Sequence, residues 1–213
     1  MSDDAPSDRC LRLLRRFKEA TLAFGDRTAD IRFVIDRTDG RLVMPVESAA
    51  AKHSEFTLHL PSQVDCDLTA LVIPSRIERP EASEAVDRWS VYHGTPPSSA
   101  AWVSARILGL KSVQDPRDTL MDEAALTVPN ALGNAEFRIL RAANADPTLL
   151  ARAARAVAGI DLDDALCVGA DPDGIDVRAP FGIVRLEFPY AAADVPTAEV
   201  MLTALLSAGG ASS

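Results

Sequence analysis

Ile31-Arg32-Phe33-Val34-Ile35-Asp36-Arg37-Thr38-Asp39-Gly40-Arg41-Leu42-Val43-Met44-Pro45-Val46 is the stretch on which the fold turns. Two apolar runs rich in β-branched residues flank a polar segment containing Asp39-Gly40. That dipeptide is a strong hairpin signal, because glycine accepts the positive φ a tight turn needs. Downstream, residues 56–60 alternate apolar and polar side chains, the period of a half-buried strand. Residues 68–77 read as a strand bent or ended near Pro74, and residues 101–113 as a long one. A short helical turn over 47–53 and a helix over 81–93, closed by Gly94, lie between them. About five strands with two hairpins and few helices point to a small antiparallel barrel.

Working outward, residues 1–8 read as a tail. Residues 8–24 read as an amphipathic helix, capped by Ser7 or Asp8, with Leu11, Leu14, Phe17 and Leu22 near one face. Residues 114–128 form a connector. From Asn130 the pattern becomes helix, helix, strand, strand, strand, helix. Asp146-Pro147 starts the second helix as N-cap and first residue. Asp171-Pro172-Asp173-Gly174 turns between strands, and a closing helix covers 197–207. The expected class is α+β: an antiparallel split β-barrel over residues 9–115, then a small α/β domain with separate helices and strands over 125–210.

The chain has 213 residues, 47% apolar and 25% charged, with a net charge of −9. A packed core is affordable, and an anionic nucleic acid or membrane surface is repelled. Cys10, Cys66 and Cys167 are odd in number and widely spaced. A disulfide framework or zinc site is not expected, and a reducing, cytoplasmic setting fits. Walker, GxGxxG and GxSxG motifs are absent.

The segment from Val168 to Arg178, followed by Val184-Arg185-Leu186-Glu187-Phe188-Pro189, carries the pattern G-x-D-x-x-G-x-D-x-R and then R-x-x-F. It resembles a small domain fused behind a flavin-type split barrel in haem-utilisation proteins and in the plant glutamyl-tRNA reductase-binding protein. The first half, through its hairpin, the run Arg88-Trp89-Ser90-Val91-Tyr92-His93-Gly94 and the strand with Trp102, resembles the pyridoxamine-phosphate-oxidase-like FMN-binding split barrel. The resemblance implies a homodimer and a flavin or haem cofactor. Haem-degrading members carry an H-M-N-x-D-H helix start. The matching slot, residues 141–147, keeps Asn144 and Asp146 and has no histidine. Haem ligation through that helix is therefore not expected, and His53, His59 and His93 all lie in the barrel half.

Arg41, Ser48 and Lys52 are the phosphate candidates, since a dianion seeks charge-assisted donors and the S-x-x-x-K spacing puts two of them on one face of a turn. A capped, solvated turn also explains them. Trp89 and Tyr92, three apart and so on one helix face, together with His93, in the most aromatic stretch of the chain, are candidates for a cofactor pocket. They could instead pack the helix on the barrel. His53 and His59 lack the tight spacing of a metal site, and the acidic run 171–176 lacks the span of a calcium loop. Two functions remain open: a flavin- or haem-binding protein of the haem-utilisation type, or a cofactor-free barrel that grips a protein partner.

Overall fold

The computed structural model describes residues 6–114, 119–120, 126 and 129–208. The chain divides into two compact units, residues 1–129 and 130–213. Residues 1–5 of the expected tail and most of the expected connector lie outside the described residues; residues 6–8 are not tail but the start of a helix, and residues 119–120 of the connector form a short strand.

In the first unit, helix α1 (Pro6–Arg16) buries Cys10 and Leu14, one turn apart, in the barrel core. The amphipathic segment does not continue as helix. Residues Glu19–Phe24 form strand β1, whose buried positions include Ala20, Leu22 and Phe24. Leu22 satisfies a helical face as well as a strand face. What decides is pairing, because β1 hydrogen-bonds β2 (Arg27–Arg32) on one side and β5 (Phe56–Pro61) on the other. Non-local hydrogen bonds override local preference here.

The strand order is β2-β1-β5-β6-β7-β4-β3, with β3 Val34–Ile35, β4 Leu42–Val46, β6 Cys66–Arg76 and β7 Ala101–Ser112, while β8 (Thr119–Leu120) pairs β7 off this path. Among the described residues every pairing is antiparallel. The two ends of this order, β2 and β3, are consecutive pieces of one segment with only Phe33 between them. The sheet therefore curls round on itself into a split barrel. Phe33, fully buried, ties the joint, and its N–H donates to the Lys18 carbonyl. Phe56, Leu58 and Leu60 of β5 face the core opposite Val72, Ala70 and Leu68 of β6.

The hairpin forms where the sequence places it, as a longer loop. Asp36 N–H donates to the Arg41 carbonyl, Gly40 takes φ 74°, and the Asp36 carboxylate accepts from both Thr38 donors. All of β4 is buried. Its inner side meets the core, and helix α2 (Glu84–His93) packs on β3 and β4 from outside. Gly94 closes α2 with φ 82°.

The second unit contains helix α3 (Glu136–Ala143), helix α4 (Pro147–Ala158), an antiparallel meander of β9 (Leu166–Asp171), β10 (Gly174–Ala179) and β11 (Gly182–Glu187), and helix α5 (Val195–Ala208). Asp146 caps α4 by accepting from Thr148 and Leu149 N–H, and Gly159 ends it in the left-handed region. The helices and meander share a core including Ile139, Leu150, Ile175, Val177, Leu186 and Leu202. No helix among the described residues is long and apolar enough to cross a membrane.

Candidate functional site

A cavity of about 520 Å³ opens beside α2 in the first unit. Its size lies within the usual range of small-molecule sites, roughly 300–1,000 Å³. Strands β1 and β2 supply Glu19, Ala20, Asp30, Ile31 and Arg32. Pro45 comes from β4, Pro61 and Ser62 from the end of β5, and Trp89 and His93 from α2.

Trp89 is 4% exposed. Its indole meets Trp102 edge-on at 5.3 Å and lies 4.9 Å from the His93 ring. The Trp89 Nε1–H donates to the Arg32 carbonyl at 2.9 Å. His93 Nε2 lies 3.1 Å from the Phe33 carbonyl. A carbonyl only accepts, so that nitrogen carries the proton. Both rings are thus fixed to main-chain oxygens at the end of β2, just where the chain passes from β1's partner to β4's. Two positions at (i, i+4) on α2 and one strand end make a rigid aromatic wall.

The polar groups come from a cross-strand ladder. Glu19 lies opposite Arg32 and Thr21 opposite Asp30. Thr21 Oγ1 donates to Asp30 Oδ1 at 3.2 Å and accepts from Gln63 N–H at 3.1 Å. These carboxylates and Arg32 were missed in sequence. Each is an ordinary charged residue of an alternating strand, and only pairing puts them together.

The sequence candidates do not come together. Trp89 and His93 line the cavity, whereas Arg41, Ser48 and Lys52 are not among its lining residues. Arg41 sits in the β3–β4 loop, paired with Asp39 at 3.2 Å. Ser48 and Lys52 lie between Glu47, which pairs with Arg27 at 3.0 Å, and His53, whose ring meets Phe24 at 5.4 Å. Phe24 and Arg27 close the β1–β2 hairpin at the end away from Glu19 and Arg32. Along strands rising 3.2–3.4 Å per residue, that separation is roughly 17 Å. His59 lies elsewhere again, with Nδ1 3.9 Å from the Cys66 thiol. Among the described residues no group of three or more His, Cys, Asp or Glu is poised to hold a metal ion.

No protein-family model matches the chain. No curated protein matches it either. Among solved structures, a protein of unknown function from Agrobacterium tumefaciens aligns over 97% of both chains at 19% identity, with a TM-score of 0.69. That likeness is one of fold. A heme binding protein from Mycobacterium smegmatis aligns over 100% of both chains at 18% identity, with a TM-score of 0.45, too loose to bear on function.

In the second unit the motif residue Arg178 lines a recess with Pro147, Asp163 and Asp164, while Asp171, Asp176 and Arg185 pair with one another. Arg185, 5% exposed in its side chain, donates from Nη2 to Asp171 at 2.5 Å and from Nη1 to Asp176 at 3.0 Å. The two carboxylates hold its guanidinium charged despite burial, raising its pKa above the ordinary arginine value. One triad therefore staples β9, β10 and β11. Gly174 has φ 154°, and a Cβ there would sit 2.3 Å from the Leu186 carbonyl oxygen, so the close approach of β10 to β11 demands glycine. Asn144 accepts from Cys167 N–H and donates to Cys167 O. The Asn and Asp shared with the haem-degrading pattern thus serve as a strand clamp and a helix cap.

Proposed function

We propose that the first unit is a split-barrel binding protein for a planar heteroaromatic cofactor of the flavin or haem class, seated in the cavity beside α2. The observation that supports this is the cavity itself, whose wall carries Trp89 and His93, the aromatic pair of α2, locked to main-chain carbonyls. A rigid, half-apolar recess with a few fixed polar groups suits a flat ring that stacks on or slides past an indole. The residues fit the ring better than its charged appendages, since one guanidinium faces two carboxylates. When bound, the cofactor would supply whatever redox chemistry occurs. The protein's own groups orient it: Trp89 and His93 set the ring plane, and Arg32, Asp30 and Glu19 meet its periphery.

The test is a titration of the whole chain with riboflavin, FMN and hemin, followed by tryptophan emission and by the ligand's absorption. Saturable quenching by one of them is expected. No binding tighter than about a millimolar, roughly −4 kcal/mol, would overturn the reading.

A cofactor-free module that grips a protein partner is the second reading. Phe137, Phe181, Tyr190 and Val200 of the second unit, each at least 60% exposed, favour it. A homodimer belongs to either reading. Sedimentation at micromolar concentration should show it, with at least about 1,000 Å² buried.

A further inference from the structure

We infer that the cavity discriminates by charge: of two flavins that differ only in a terminal phosphate, it takes the neutral one. This deepens the reading above and rests on it. An anion entering the cavity needs donors, and the two ring N–H donors on its wall are engaged, which leaves the Ser62 and Thr95 hydroxyls and one guanidinium. The Trp89 N–H is spent on the Arg32 carbonyl and the His93 Nε2–H on the Phe33 carbonyl. Among the described residues Arg32 is the one lysine or arginine on the wall, and Glu19 stands directly across the ladder from it. Residues directly opposite on an antiparallel pair keep their side chains within interaction range.

Asp30 adds a second negative charge, held in place by the Thr21 hydroxyl. Two carboxylates against one guanidinium leave the mouth negative, on a chain whose net charge is −9. A phosphate dianion arriving at that rim meets two like charges, a repulsion that is largest at low salt. The basic side chains that could offset this, Arg41 and Lys52, do not line the cavity. A hydroxylated or cationic periphery meets the opposite situation: hydroxyl or ammonium donors pair with Asp30 and Glu19, and the ring lies against Trp89. A haem could enter only ring-first, with its propionates left in solvent.

Riboflavin and FMN are a matched pair for the test, identical but for the phosphate. Wild-type protein should bind riboflavin about tenfold or more tightly than FMN at low salt, with the gap narrowing as salt screens the carboxylates. The double variant Glu19→Gln, Asp30→Asn should tighten FMN selectively and close the gap. Arg32→Gln should widen it. Circular dichroism of each variant checks that the barrel is intact, and the wild-type comparison stands without any variant. Equal affinity for both flavins, or tighter FMN, overturns the inference while leaving the cavity as the cofactor site. Absence of binding by riboflavin, FMN and hemin alike removes the cofactor reading itself, and the inference with it.

Discussion

The cavity of the first unit and the β9–β11 meander of the second each bring one arginine to two aspartate or glutamate carboxylates, with opposite results. In the meander, Arg185 is buried and both carboxylates reach it, Asp176 at 3% side-chain exposure. In the cavity, Glu19, Asp30 and Arg32 are solvent-exposed residues on a rim. A closed set of charges holds strands together and offers nothing to a ligand. An open set contributes little to folding and remains available. The difference between structural and binding charge is thus read from burial and pairing, not from residue type.

The sharpest way to break this comparison is Arg185→Met. It leaves Asp176 buried without its cation and should cost about 3–5 kcal/mol. Urea denaturation of the whole chain should show the second unit melting first. If stability is unchanged, the triad is not the staple described.

Alkaline pH probes the same region. Burial, then the charge of Asp176, pushes the Cys167 thiol up to about 12. The unfolded chain gives up this proton near the ordinary value of 9.0 while the folded one keeps it. The folded state binds more protons, so stability is full below that value and falls as pH rises toward the folded one. The slope should be about 1.4 kcal/mol per pH unit from this thiol alone. Cys167→Ala should remove that slope between pH 9 and 11 in denaturant titrations.

A smaller effect is expected from Asp146→Ala, which strips the cap from α4. The loss should be about 1 kcal/mol, and Asp146→Asn should restore most of it.

The least effect on folding belongs to the open charges. Glu19→Gln and Lys52→Ala should each stay within about 0.5 kcal/mol of wild type. They part company in ligand binding: Glu19→Gln should alter flavin affinity, and Lys52→Ala should leave it unchanged within about twofold, being off the cavity wall. A large loss of FMN affinity in Lys52→Ala would move the site to the other end of the β1–β2 hairpin.

Much of this architecture is local and so was legible. Asp39-Gly40 marked a turn because Gly40 needs positive φ. Asp146-Pro147 marked a helix start because its cap is made within three residues. The meander was visible through the turn Asp171-Pro172-Asp173-Gly174 and the strand-like segments flanking it. Residues 19–24 misled, since Leu22 fits both periods and the hydrogen bonds that settle the matter come from residues up to 59. The cavity was half legible. Trp89 and His93 stood out by type, whereas Tyr92, singled out by its spacing from Trp89, is buried off the cavity lining. Glu19, Asp30 and Arg32 are unremarkable in sequence, and register alone makes them neighbours. The Gly174 and Arg185 pattern was visible as a motif, while its purely internal role depends on burial that sequence does not display.

The clamp on β9 has a consequence for growth between molecules. Asn144 meets Cys167 through both main-chain groups, Glu136 accepts from Ala170 N–H, and Asn130 donates to Ala170 O. Side chains thus occupy the hydrogen-bonding positions a neighbouring strand would use. Among the described residues β11 pairs only with β10. A sheet that can accept strands at one edge alone can at most join a second copy edge to edge and then stop. Fibril extension needs two open edges on every subunit, and three buried or half-buried polar side chains withhold one of them.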